Sequence, residues 1–100
     1  MENKQFMVIF TFETALSHKF IAMVPKHREK VNDLMIDGKI LTYSLCLEKG
    51  LIWAVFEAKS ESELRRIIKE LPLSAYMDYE INPLTFYSTN SNFTMSYSLN

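Results

Sequence analysis

His27, Glu57 and Glu80 are the side chains of this 100-residue sequence best placed to move a proton. A proton shift beside a carbonyl needs a base tuned toward neutral pH and a donor that steadies the enolate. His27 falls on the helical stripe through Val24 and Val31, where its ring can reach a helix–sheet pocket. The same placement suits a boundary histidine that only satisfies a backbone carbonyl. Glu57 ends a strand in phase with Leu51, Trp53 and Val55, where burial would raise its pKa and solvation would not. Asp78 and Glu80 share a strand face with Tyr76 and either line a polar pocket or guard a sheet edge. Tyr43, Trp53 and Tyr79 can stack on an unsaturated ligand, or serve as core aromatics that need none. His18, near a helix start, reads as a surface residue.

The elements that carry these groups follow from local pattern. Residues 5–12 form an apolar run without strict alternation, as in a strand buried on both faces. Phe20, Val24, Val31, Leu34 and Met35 keep helical spacing from Ser17 to Asp37, and Gly38 is a natural stop. Pro25 either kinks that helix or opens the first turn of a second piece. Residues 39–48 and 51–58 form a hairpin through Lys49-Gly50. Ser60 and Glu63 make a capping-box pattern ahead of the stripe Leu64, Ile67, Ile68 and Leu71, which Pro72 ends. Tyr76–Phe86 is the last strand. The order β-α-β-β-α-β predicts an α+β, ferredoxin-like sandwich with an antiparallel sheet.

Two helices cover one sheet face, yet Phe6, Val8, Phe10 and Phe12 oppose Met7 and Ile9, and Leu51, Trp53 and Val55 oppose Ile52, Ala54 and Phe56. Both faces of the central strands are apolar. The expectation is a homodimer or higher homo-oligomer that covers the open face; a folded-back carboxy-terminal tail is the alternative. Residues 1–87 read as one domain and 88–100 as a tail. In that tail Phe93, Met95, Tyr97 and Leu99 alternate with polar residues, predicting a strand over 92–99 that pairs with another subunit in preference to its own.

Composition narrows the function classes. Aliphatic and aromatic residues make up 48%, and a net charge of −1 with scattered basic residues gives no footprint for nucleic acid or anionic membrane. The single Cys46 suits a reducing compartment, and MENKQFMVIF lacks the basic region and apolar length of a leader or a span. A cytoplasmic protein is expected, with no membrane partner. No metal-ligand spacing, phosphate loop or triad pattern appears, so no metal or cofactor is expected.

Leu71-Pro72-Leu73, Tyr76-Met77, Glu80 and Leu84 resemble the carboxy-terminal half of muconolactone isomerases. The similarity runs gaplessly back through Val55-Phe56-Glu57 to Gly38 and more weakly into the first helix. The resemblance implies a dimeric α/β-barrel assembly with sheets face to face. It also implies a cofactor-free proton shift in a small unsaturated lactone carboxylate, and gives Glu80 added weight. Departures are specific. The family's polar, basic, Trp-bearing second strand is here Ile40-Leu41-Thr42-Tyr43-Ser44-Leu45. A family histidine falls at Lys49, and an Arg-His segment at Phe86-Tyr87. Three readings follow: a cofactor-free acid–base isomerase of a small carbonyl or lactone compound, with His27, Glu57 and Glu80 catalytic and Tyr43, Trp53, Tyr76 and Tyr79 binding substrate; a noncatalytic oligomeric or small-ligand-binding domain; or a cofactor-free monooxygenase-like enzyme. An enclosed pocket of several hundred Å³ with His27 or Glu57 reaching its wall favours an enzyme, and one filled by Trp53 and Tyr43 favours the second reading.

Overall fold

The computed structural model of the chain describes residues 3–90. β1 (Lys4–Thr11), α1 (His18–Ile36), β2 (Ile40–Cys46), β3 (Leu51–Ala58), α2 (Glu61–Lys69), a 3-10 turn (Pro72–Tyr76) and β4 (Asp78–Pro83) follow in that order. The four strands form one antiparallel sheet in the order β2-β3-β1-β4. This is the α+β, ferredoxin-like arrangement that the element order predicts. Among the described residues no helix is long and apolar enough to cross a membrane.

Each boundary has a local cause. The Ser17 hydroxyl accepts the Phe20 N–H at 3.1 Å and opens α1, which runs through Pro25 as one continuous helix. The Ser60 hydroxyl accepts the Glu63 N–H at 3.2 Å, while the Glu63 carboxylate reaches back to the Lys59 N–H at 2.7 Å. Pro72 stops α2 from continuing and starts the 3-10 turn instead. That turn claims Tyr76, so the last strand is shorter than Tyr76–Phe86: it begins at Asp78 and ends at Pro83. Tyr76 therefore does not share a strand face with Asp78 and Glu80. The tail strand expected over 92–99 lies outside the described residues.

Phe6, Val8 and Phe10 of β1 and Ile52, Ala54, Phe56 and Ala58 of β3 are buried beneath the helices. They meet Phe20, Val31 and Leu34 of α1, Leu64, Ile67 and Ile68 of α2, and Leu71 and Leu73 around the 3-10 turn. Phe10 and Phe56 are fully buried and tilt against each other at 6.3 Å between ring centroids. On the opposite face Met7, Ile9, Leu51, Trp53 and Val55 form an apolar centre. Trp53 keeps 36% of its surface, whereas Val55 keeps only 2% because Met7 and Thr42 flank it in register. The two edges differ. β4 carries Asp78, Glu80 and Pro83, and β2 carries no charge at all.

The Leu47–Gly50 turn closes the hairpin with Gly50 at a φ of 64°. A side chain there would run into the Phe12 carbonyl oxygen, while Gly38, at a φ of 75°, faces open space. Gly38→Ala should therefore cost only the left-handed penalty of about 1–2 kcal/mol, and Gly50→Ala distinctly more. Urea denaturation of the two variants checks the ranking; equal losses would show that the Phe12 contact yields freely.

Candidate functional site

A cavity of about 710 Å³ opens between α1 and the β2 side of the sheet. Its wall is almost wholly apolar. Phe12, Leu16, Phe20, Val24, Val31, Ile52 and Leu73 line the interior, and exposed Ile21, Leu45 and Leu47 ring the mouth. Pro25 sits in the same wall and has no N–H to offer the Ile21 carbonyl one turn earlier. Among the described residues, polar lining comes from four side chains: His27, Tyr43, Arg28 and Asn32, the last two exposed on α1.

His27 is the buried polar member of the core, with 3% of its surface exposed. Its Nδ1 accepts the Leu73 N–H at 3.3 Å, and its Nε2 lies 2.9 Å from the Tyr43 hydroxyl. Burial pushes its pKa down from 6.5 to about 4 and pushes the Tyr43 phenol up to about 12. Both groups are therefore neutral across the physiological range. A bulge in β2 between Ile40 and Thr42 brings Tyr43 opposite Ala54 on the helix-facing side of the sheet.

His27 and Tyr43 are the expected site residues that the fold brings together. Trp53, paired with Ser44 and Ile9, stands on the opposite sheet face and cannot fill the cavity. Glu57 is on that opposite face too, where its carboxylate accepts Gln5 Nε2 and Asn3 Nδ2, both at 3.1 Å. Glu80 lies across from Ile9 on the same side, exposed. Tyr79 faces the helices but packs on Phe10 at 6.0 Å and takes a hydrogen bond from Arg65 at 3.2 Å, away from the cavity. Tyr76 sits edge-on to Phe20 at 6.1 Å and lines a smaller polar cleft of about 260 Å³ with Thr11, Phe12, Glu13 and Asp78. The cavity's apolar mouth was not among the expected site residues. Leu45 and Leu47 carried the signal, being large apolar residues at an uncovered strand end.

The family model for muconolactone delta-isomerase matches residues 5–90. The chain belongs to that family. None of the curated proteins compared with the chain matches it. The match spans every element of the fold, so it includes the strands and helix that build the cavity as well as the segment around Leu71-Pro72-Leu73. In this muconolactone isomerase-like protein the Leu73 N–H of that segment is the group that holds His27.

The lowered pKa of His27 carries a pH dependence with a definite sign. The folded value of about 4 lies below the unfolded 6.5, so on acidification the unfolded chain takes up the proton first. The stability from burying a neutral ring is complete above pH 6.5 and is lost as pH falls toward 4, up to about 3 kcal/mol. His27→Gln should be less stable at pH 7 and should lose less on going to pH 4.5 than the parent chain. Denaturant titrations at the two pH values check this; parallel losses would place the His27 pKa near its ordinary value.

Proposed function

We propose that this member of the muconolactone isomerase family is an acid–base isomerase that binds a small, largely apolar carbonyl or lactone compound between α1 and the sheet. The observation that carries this reading is the cavity itself: several hundred Å³ of apolar wall with a buried, hydrogen-bonded His27–Tyr43 pair set into it. An apolar wall favours the uncharged body of such a ligand, and the pair offers the polar group that orients its oxygen. Arg28 and Asn32 stand at the mouth, where a polar substituent would emerge. A second reading, binding without turnover, is favoured by one feature: among the described residues no carboxylate lines the cavity, and Glu57 and Glu80 lie on the far side of the sheet.

Exchange of α-protons for deuterium in a panel of small ketones and γ-lactones distinguishes these readings, followed by NMR in heavy water. Catalysed exchange that falls at least tenfold in Tyr43→Phe supports the isomerase, since a general acid is worth about 10²–10⁴-fold, and His27→Ala should lower it as well by releasing Tyr43. Binding without exchange supports the second reading. Failure of every compound to bind removes both.

The reading extends to assembly. Met7, Ile9, Leu51, Trp53 and Val55 make an apolar patch rimmed by Gln5, Thr42, Ser44, Glu57, Glu80 and Asn82, the layout of an interface core with a polar rim. A second copy of this chain, sheet against sheet, covers it in this proposal, with Glu57 and Glu80 as rim groups. Light scattering at micromolar concentration should give at least a dimer, and Ile9→Arg should give a monomer. A monomeric parent chain would overturn the proposal.

A further inference from the structure

The hydrogen bonds around His27 run in one direction only. A backbone N–H can only donate, so the Leu73 N–H occupies the Nδ1 lone pair and fixes that nitrogen as the unprotonated one. The neutral ring then carries its proton on Nε2, and the Nε2–H donates to the Tyr43 oxygen at 2.9 Å. The Tyr43 hydroxyl is left with its own proton and makes no other hydrogen bond among the described residues. It stands in the wall of the cavity.

We infer that the Leu73–His27–Tyr43 chain aims one hydroxyl proton into the apolar cavity, making the site selective for ligands that present an acceptor oxygen, as ketones, lactones and enolates do. This rests on the cavity being the ligand site, as proposed above. His27 is then a positioning residue and not the base: the one lone pair that could take a proton, on Nδ1, is held by the Leu73 N–H, and Nε2 already carries the proton given to Tyr43. Tyr43 is the group that touches ligand oxygen. A donor whose own oxygen already accepts a hydrogen bond is polarised by it, so the outward proton is the stronger for being third in the chain. Arg28 and Asn32 are exposed on α1, leaving this proton as the polar feature of the interior among the described residues.

The test uses two probes of matched shape: acetophenone, labelled with ¹³C at the carbonyl, and α-methylstyrene, which has a CH₂ group where the ketone has oxygen. In the parent chain the bound ketone should show a carbonyl stretch shifted to lower frequency than in hydrocarbon solvent. Tyr43→Phe should abolish that shift and weaken acetophenone binding about three- to tenfold, the worth of one neutral hydrogen bond, while leaving α-methylstyrene affinity unchanged. A ¹⁵N long-range spectrum of the parent chain reads the direction without any variant, and an Nε2–H, Nδ1-unprotonated His27 is expected. An Nδ1–H ring would overturn the inference, as would an unshifted carbonyl with equal binding of both probes. If neither probe binds at millimolar concentration, the cavity is not a ligand site, and the functional reading falls together with this one.

Discussion

The N–H of Leu73 is a buried donor at the start of a 3-10 turn, and a buried backbone donor must find an acceptor. Leu71, which caps that turn, offers no side-chain oxygen, and Pro72 offers no donor that could share the task. The acceptor comes from 46 residues earlier in the chain, as the Nδ1 of His27. This one requirement ties α1, the 3-10 turn and β2 together, because the other ring nitrogen engages Tyr43. It also fixes the chemistry of the ring. Burial holds the pKa of this imidazole low, and taking up a proton at Nδ1 would also mean giving up the Leu73 N–H.

The fold was legible because its signals are local. Ser17, Ser60 with Glu63, and the glycines at 38 and 50 each mark an end by satisfying or freeing a particular backbone group. The two apolar faces of β1 and β3 were equally plain in the alternation of residues 6–10 and 51–56. The last strand was less so. Tyr76-Met77 reads as extended, but Pro72 starts a tight turn whose closing bond, Met77 N–H to Ser74 carbonyl, runs through that segment.

The site was legible only in part, for a reason that sits at Leu41. Counted by simple alternation from the buried Ile40, Thr42 would point to the helices and Tyr43 to the open face. The bulge inserts one residue into the count and exchanges the two. Nothing in Ile40-Leu41-Thr42 announces this, so Tyr43 could be named as a candidate but not joined to His27. The converse holds for Glu57 and Trp53. Their shared phase with Val55 was correct, but which sheet face holds a cavity depends on how far α1 stands from β2, and that is a property of packed volumes rather than of periodicity.

The unequal edges of the sheet have a consequence for growth. A sheet elongates without limit only if both of its outer strands accept a neighbour, because each added copy must offer a fresh edge to the next. Here one border is fenced by two carboxylates and a proline, while the other is charge-free. Among the described strands, addition along the hydrogen-bonding direction is therefore favoured at the β2 border over the β4 border, and a contact made by the same border of both molecules is two-fold and self-limiting. Such a pair of borders favours closure into a pair over growth into a fibre.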